Sequence, residues 1–254
     1  MRRLILEESR RADVGHIGSA LSVVDILVAL YGGVLRATGP RDPERDRLVL
    51  SKGHAALALY CALHLKGWLG REELTTYCAD ASRLGVHPSH SLPGVDFSTG
   101  SLGQGLSIGC GAALAARLQG AGRRSFVLLS DAECNEGSTW EAAMFAGHHR
   151  LEGLAAIVDL NGQQALGHTA EVLDQSHLAA RWRAFGWQVR EVDGHDPAQV
   201  AEALRPAAGA PLVVLARTIA GRGVSFMAGQ VRWHYLPMDA AQYRQALAES
   251  DALA

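Results

Sequence analysis

The amino-acid sequence predicts a single α/β domain over residues 1–254, with a mostly parallel sheet flanked by helices. Two short apolar runs bounded by turn residues, 125–130 and 155–160, are typical of strands that are buried on both faces. Segments with apolar residues at helical spacing lie before, between and after these runs. No repeat, low-complexity stretch or Pro/Ser-rich linker indicates a second domain.

The other elements follow from the same two patterns. The segments 188–192 and 211–217 are further candidates for strands, and the amphipathic segment 1–8 predicts a helix. Apolar residues at helical spacing predict more helices, at 21–31, 54–65, 106–118, 140–149 and 200–204. Strands that alternate with helices in this way are typical of an open parallel sheet.

Composition and charge argue against several kinds of partner. The formal net charge is −2, whereas nucleic acids and anionic membranes favour a basic face, so we expect neither as a partner. The apolar runs are too short to span a bilayer, and the N-terminus lacks the apolar stretch of a signal peptide. No CxxC pair is present, and three of the four cysteines lie among apolar or small residues. We therefore expect three of the four cysteines (Cys61, Cys78, Cys110 and Cys134) to be buried thiols, and a cytoplasmic, reducing setting for the protein.

Ligands of open parallel sheets bind beyond the carboxyl ends of the strands, which in this chain means just after Leu129, Leu160 and Arg217. Asp131 follows the first of these strands, and Asn161 follows the second, thirty residues later. One strand–helix–strand unit separates the two residues, so their side chains should emerge at the same edge of the sheet. A carboxylate and a carboxamide oxygen are hard ligands that suit Mg²⁺ or Ca²⁺.

The residues beside Asp131 also suit a phosphate. Ser130 and Ala132 are small enough for backbone amides to approach a phosphate closely, and the N-terminus of the following helix favours its negative charge. The alternative is that Asp131 caps that helix and that Asn161 belongs to a turn. The spacing alone does not decide between a cation site and these local roles.

Six segments, in order along the chain, resemble motifs of the thiamine-diphosphate-dependent transketolase family. The family's GDG…N motif resembles the run Asp131-Ala132-Glu133-Cys134-Asn135-Glu136-Gly137, followed by Asn161. The other five segments lie at 15–19, 46–54, 87–95, 98–105 and 223–234. The resemblance runs from about Met1 to Pro237, and it implies the diphosphate-binding module of the thiamine-diphosphate-binding fold.

The resemblance implies a role for particular residues. The metal ligands would be Asp131, Asn161 and the backbone carbonyl of Gln163, which hold Mg²⁺ or Ca²⁺ against the diphosphate of thiamine diphosphate. Other residues expected to bind the cofactor are His54, Gly100, Ser101, Leu102, Ala132, Glu133 and His234. Among these, His54 and the backbone of Ala132 would contact the diphosphate. Glu136 would couple two active sites across a subunit interface.

Four histidines lie in loops next to Gly, Pro or Trp, where sites are commonly built: His16, His54, His87 and His234. Zinc is the competing interpretation, but no HxxxH pair is present and no cysteine stands near them in a ligand pattern. In transketolases the matching histidines line the substrate channel, bind sugar hydroxyls and move protons, for which a pKa near neutrality is suited. The other histidines are expected to be surface or core residues, and His90 is left open.

The chain departs from the family pattern at several positions. Ser130 and Ala132 replace two glycines, and a methyl group at 132 would crowd the diphosphate if that backbone needed a positive φ. Ser101 replaces a proline, Ala165 replaces a larger apolar residue near the thiazolium, and Tyr235 stands where glycine is common. These changes bear on the substrate more than on the cofactor.

The segment ends at Ala254, soon after the late histidine, and contains no counterpart of the family's pyrimidine-activating glutamate. The expected partner is therefore a separate C-terminal, pyrimidine-binding transketolase subunit in an α2β2 heterotetramer. Trp140, Met144 and Phe145 are candidates for the docking surface, with core packing as the alternative. The expected reaction transfers a two-carbon ketol unit from a ketose to an aldehyde. The alternatives are acyloin or 1-deoxyketose synthesis and a non-catalytic, degenerate subunit.

Overall fold

The computed structural model describes residues 1–206 and 208–252, and its centre is a parallel sheet. The strands within these residues are β1 (Arg47–Leu50), β2 (Ser125–Ser130), β3 (Leu154–Leu160), β4 (Gln163–Gln164), β5 (Gly167–His168), β6 (Gln188–Asp193) and β7 (Leu212–Arg217). Five of them are parallel neighbours in the order β1-β2-β3-β7-β6, while β4 and β5 form a separate antiparallel hairpin.

Helices cover both faces of this sheet. They are α1 (Arg2–Ala12), α2 (Ile17–Ser22), α3 (Val24–Ala29), α4 (Ala56–Leu65), α5 (Arg71–Leu74), α6 (Gly105–Leu118), α7 (Gly137–His148), α8 (Thr169–Val172), α9 (Leu178–Ala184), α10 (Pro197–Ala203) and α11 (Ala240–Asp251). Short 3₁₀ turns occupy Gly53–Ala55, Ala132–Asn135 and Val231–His234, and a π-helical turn occupies Leu30–Val34. The three 3₁₀ turns matter most for function, because they all lie at the candidate site.

The sheet separates two apolar layers, which explains why its strands read as continuous apolar runs. Phe126 and Leu128 of β2 pack into the layer that contains α1 to α4 and α10. Val127 and Leu129, on the opposite face of the same strand, pack into the layer that contains α6, α7 and α9. All six residues of β2 are buried, as expected of a parallel strand with helices on both sides.

The predicted fold class is confirmed, and the four predicted strands agree with β2, β3, β6 and β7 to within one residue at each end. β1 was not predicted, because four residues between charged neighbours carry little periodic signal. The single helix predicted over 21–31 is wrong. The chain forms α2 and α3 instead, since Val23 leaves helical geometry with φ −96° and ψ 2°.

Two findings bear on the setting of the protein. Cys61, Cys110 and Cys134 are buried and Cys78 is half-buried, and all four are free thiols, so the prediction of three buried thiols is confirmed. Of the helices within residues 1–206 and 208–252, none combines the length and the apolar character that a membrane crossing requires.

Candidate functional site

The carboxyl edge of the sheet brings Asp131 and Asn161 together, as their spacing predicts. β2 and β3 pair in parallel with Ser130 opposite Asp159, so both strands end side by side. The amide of Gly162, directly after Asn161, donates to Asp131 Oδ2 over 2.8 Å. The amide of Ala132 donates to Asp131 Oδ1 over 2.9 Å, so Asp131 also caps the following 3₁₀ turn. Asp131 therefore caps the 3₁₀ turn and also lies at the edge of the sheet next to the segment that carries Asn161.

Asp131 is buried beside a second acid, and this raises the pKa of its carboxyl to about 7. The main cause is burial, which disfavours the charged form, and the negative charge of Asp159 adds to it. A divalent cation next to the carboxylate would favour the charged form and offset both effects. The surroundings of Asp131 thus suit a cation ligand better than a free carboxylate.

Two hydrogen bonds fix the orientation of the Asn161 side chain. Its amide nitrogen donates to Asp159 Oδ2 over 3.0 Å, and its carbonyl oxygen accepts from the amide of Gln163 over 2.9 Å. Oxygen donors of this kind fit Mg²⁺ or Ca²⁺. Within residues 1–206 and 208–252, no group of three or more His, Cys, Asp or Glu side chains is arranged to hold a metal ion.

A cavity of about 220 Å³ opens beside these two residues. The site residues predicted from the sequence that line it are His54, Leu102, Ala132, Glu136, Asn161, Gln163 and His234. Three larger concavities, of about 850, 600 and 350 Å³, are lined by Arg190 and Glu202, by Arg117 and Arg150, and by Glu141 and Phe145, respectively. None of them contains a predicted catalytic, cofactor-binding or metal-binding residue, so size alone does not identify the site.

Three of the predicted histidines form one cluster at the cavity. The ring centroids of His16 and His54 are 5.4 Å apart, those of His16 and His234 are 5.2 Å apart, and those of His54 and His234 are 5.1 Å apart. His87 lies next to Gly100. A Cβ atom added to Gly100 would lie 3.2 Å from the His87 ring. The structure therefore assembles the four histidines from four separate loops.

Burial keeps this cluster neutral at physiological pH. It lowers the pKa of His234 to about 4 and that of His54 well below its usual value, and nearby positive charge adds to both shifts. A neutral imidazole can both donate and accept a hydrogen bond, as recognition of a sugar hydroxyl requires. His16 Nδ1 is buried without a hydrogen-bond partner among the described residues. Such an atom fits a site that a polar ligand completes.

The loop at 98–105 packs closely against the loop that carries His54. A Cβ atom added to Gly53 would lie 2.9 Å from the amide nitrogen of Gly100, so two backbones meet there with no room for a side chain. Leu102 from the same loop lines the cavity, whereas Ser101 is exposed and lies outside its lining. The loop thus presents backbone and Leu102 to the site.

Ser130 and Ala132, which replace the two glycines of the family motif, do not strain the backbone. Within the described residues, the non-glycine positions with positive φ are Asp13, His16, Cys78, Ala81 and Arg150. Ala132 lies in a 3₁₀ turn and is not among them, so a side chain at this position causes no backbone strain. The objection that Ala132 would need a positive φ is therefore removed.

Comparison with known proteins decides the family. Residues 1–249 match the family model of the transketolase, thiamine diphosphate binding domain. The chain belongs to the transketolase family. Its enzymes are transferases, and thiamine diphosphate is the cofactor that the matched domain binds. Fold class, family and cofactor therefore agree with the resemblance in the sequence.

The most similar relatives include subunits of comparable length. The 6-deoxy-6-sulfo-D-fructose transketolase subunit SqwG of Clostridium sp. (strain MSTE9) is 41% identical over 98% of this chain and 93% of its own length. The apulose-4-phosphate transketolase of Phocaeicola vulgatus has a subunit that is 39% identical over 98% of this chain and 90% of its own length.

Longer transketolases match over part of their length only. Rat transketolase is 36% identical over 96% of this chain and 40% of its own length. The crystal structure of Campylobacter jejuni transketolase superposes with a TM-score of 0.92 at 30% identity, covering 98% of this chain and 41% of the other. This chain thus spans about two fifths of these longer transketolases.

Glu133 was predicted to contact the cofactor, but its carboxylate faces the protein. The side chain is fully buried and does not line the cavity. Its Oε1 accepts from the Ser51 hydroxyl over 2.5 Å and from the Gly103 amide over 3.0 Å, and its Oε2 accepts from the Ser130 amide over 3.0 Å. These three donors belong to separate segments at the candidate site. Glu133 therefore joins the loops that carry His54, Leu102 and Asp131.

Replacing Glu133 by alanine should destabilise the protein by about 3 kcal/mol, because two buried backbone amides and one hydroxyl lose their acceptor. Urea unfolding followed by circular dichroism measures this loss. Glu133→Gln is the matched control, since its amide oxygen still accepts on one side, and its loss should be smaller. An alanine variant as stable as the wild type would show that the three bonds do not hold the loops.

The sequence analysis missed a buried ion pair next to the cavity. Lys52 Nζ contacts Asp159 Oδ2, and both side chains are completely buried. Asp159 also accepts from the Ser22 hydroxyl over 2.7 Å and from the Thr218 hydroxyl, in addition to Asn161. The signal in the sequence was Asp159, a charged residue inside the otherwise apolar strand β3. Lys52 lines the cavity too, so the pair links the sheet to the site.

Proposed function

We propose that this chain is the thiamine-diphosphate-binding subunit of a two-component transketolase, which transfers a two-carbon ketol unit from a ketose to an aldehyde. The main support is the position of Asp131 and Asn161 at one edge of the sheet, beside a cavity with a cluster of neutral histidines. Relatives of comparable length that are named transketolase subunits support the division into two chains. Four free thiols fit a cytoplasmic setting.

The proposed metal is Mg²⁺, with Ca²⁺ as a substitute. Asp131, Asn161 and the backbone carbonyl of Gln163 would hold it, and it would in turn bind the diphosphate. His54 and the amide of Ala132 would contact diphosphate oxygens, while Gly100 and Leu102 would lie near the aminopyrimidine and thiazolium rings. Bound thiamine diphosphate would supply a nucleophilic thiazolium carbon, and its cationic thiazolium ring would act as the electron sink.

The histidine cluster would act on the substrate. His16, His54 and His87 would bind sugar hydroxyls through their ring nitrogens. His234 would move a proton at the substrate carbonyl or hydroxyl oxygen, since it lines the cavity next to two other imidazoles. The apolar wall formed by Leu102 and Ala165 would help to exclude water.

The proposed partner is a pyrimidine-binding subunit, and the proposed assembly is an α2β2 heterotetramer. Glu136 lines the cavity at the start of α7, where it could couple two sites across an interface. Met144 and Phe145 on the same helix are 53% and 40% exposed, which suits a docking surface. Trp140 packs against Trp182 and donates to the carbonyl of Cys134 over 2.8 Å, so it suits the core.

Reconstitution tests this proposal. The chain is co-expressed with the product of the neighbouring reading frame, purified, and assayed for ketol transfer with a panel of ketose donors, thiamine diphosphate and Mg²⁺. We expect activity from the complex and none from either chain alone. Activity with pyruvate in place of a ketose would favour 1-deoxyketose or acyloin synthesis. A complex that binds the cofactor yet is inactive with every donor would favour a non-catalytic subunit.

A further inference from the structure

The side chain of His195, in the turn between β6 and α10, joins two distant segments of the chain. Its Nδ1 lies 2.8 Å from Asp25 Oδ2 on α3, and its Nε2 accepts from the amide of Ile219 over 2.8 Å. A backbone amide can only donate, so Nε2 carries no proton and Nδ1 must donate to Asp25. The side chain is 9% exposed, so the imidazole is held as one neutral tautomer with both ring nitrogens in use.

Arg2 fastens the far end of the segment that begins after β7. Its guanidinium donates to both carboxylate oxygens of Asp25, over 3.1 and 2.5 Å, and its Nε donates to the carbonyl of Arg222 over 3.2 Å. Residues 218–222, which we call the β7 loop, are thus tied to Asp25 at two points. One tie runs through His195 and the other through Arg2.

The β7 loop begins at the carboxyl edge of the sheet, beside the candidate metal site. The amide of Thr218 donates to the carbonyl of Leu160 over 3.2 Å, so the start of the loop continues the pairing of β7 with β3. The Thr218 hydroxyl donates to Asp159, which in turn accepts from the amide nitrogen of Asn161 over 3.0 Å. A side chain of the loop therefore contacts the residue that orients Asn161.

The turn that carries His195 also packs directly against Thr218. A Cβ atom added to Gly194 would lie 2.5 Å from the Cγ2 atom of Thr218 and 3.0 Å from the carbonyl oxygen of Arg217. The amide of Gly194 donates to that same carbonyl over 2.8 Å. Because Ile219 is the next residue along the chain, a displacement of its amide should also move the Thr218 hydroxyl.

We propose that His195 is a positioning residue for the metal site, given the function proposed above. By accepting from the Ile219 amide, it holds the β7 loop where the Thr218 hydroxyl reaches Asp159. Asp159 then keeps the amide nitrogen of Asn161 engaged, which leaves the carbonyl oxygen for the proposed cation. His195 does not line the cavity, so its effect passes through the loop.

Two substitutions separate the two hydrogen bonds of His195. His195→Gln keeps an acceptor for the Ile219 amide, because the terminal amide of the new side chain extends about as far as Nε2. His195→Asn keeps a donor to Asp25 in the place of Nδ1, but its side chain is too short to reach Ile219. Each variant loses one hydrogen bond, so the two form a matched pair and should unfold at similar urea concentrations.

Calorimetry of the reconstituted complex with thiamine diphosphate measures the apparent affinity for Mg²⁺. We expect this affinity to fall about five- to tenfold in His195→Asn but less than about twofold in His195→Gln, a smaller effect than the loss of a direct partner of a metal ligand. A role in stability alone would not distinguish the two variants. Equal affinity for Mg²⁺ in both folded variants would therefore overturn the proposal.

Hydrogen exchange of the complex without cofactor follows the β7 loop itself. Its amides should exchange about fivefold faster in His195→Asn than in the wild type or His195→Gln, as expected for the loss of one hydrogen bond. Unchanged protection in His195→Asn would overturn the link between His195 and the loop and leave the proposed function intact. A wild-type complex that binds no thiamine diphosphate would instead overturn the proposed function, and the positioning role with it.

Discussion

Asp131→Asn is expected to weaken the binding of thiamine diphosphate in the presence of Mg²⁺ by at least about 100-fold. The variant keeps the shape of the side chain but replaces the carboxylate by a neutral carboxamide, which retains one oxygen and loses the negative charge that favours a divalent cation. Asp131 is buried at the same edge as Asn161, and the neighbouring carboxylate of Asp159 is already paired with Lys52. The loss should appear in affinity for metal and cofactor together.

Isothermal titration calorimetry of the reconstituted complex, with Mg²⁺ varied, measures this effect. Asp193→Asn is the matched control, because Asp193 ends β6 at the same edge of the sheet but is exposed and does not line the cavity. The control should bind the cofactor like the wild type. If Asp131→Asn bound thiamine diphosphate as tightly as the control, the proposed metal site would be wrong.

The position of this candidate site could be predicted because Asp131 and Asn161 directly follow the ends of two strands. A fully buried parallel strand reads as an apolar run, so the residues after Leu129 and Leu160 can be located without a structure. Parallel pairing then brings those ends to one edge, which the contact between Asp131 and Gly162 bears out. The histidines were selected by resemblance to a family, and the structure brings three of their rings within 5.4 Å of one another.

The direction of side chains could not be predicted in the same way. Glu133 lies two residues after Asp131 but turns into the protein, because three donors from separate loops meet its carboxylate. The contact between Lys52 and Asp159 joins residues 107 positions apart, so no local periodicity reports it. The bond from Tyr235 to Ala165 spans 70 positions. Patterns of spacing describe elements, whereas these contacts depend on how distant loops pack.

The second large effect that we expect is a loss of stability when the buried ion pair between Lys52 and Asp159 is broken. Lys52→Met should lower the free energy of unfolding by about 3–5 kcal/mol, because it leaves the Asp159 carboxylate buried without its cation. The hydroxyls of Ser22 and Thr218 still donate to Asp159, but they carry no compensating charge. Urea unfolding at neutral pH measures the loss. Arg205→Met is the control, since its pair with Glu202 is 72% and 64% exposed and should contribute less than about 1 kcal/mol.

The double variant Lys52→Met/Asp159→Leu separates stability from function. Apolar residues in place of a buried ion pair are often neutral or stabilising, so most of the lost stability should return. Cofactor affinity should not return with it, because Asp159 also accepts the hydrogen bond of the Asn161 amide nitrogen and so leaves the carbonyl oxygen for the proposed metal. Without that acceptor, the Asn161 side chain can present nitrogen to the cation. A double variant that regained both stability and cofactor affinity would show that Asp159 serves the fold alone.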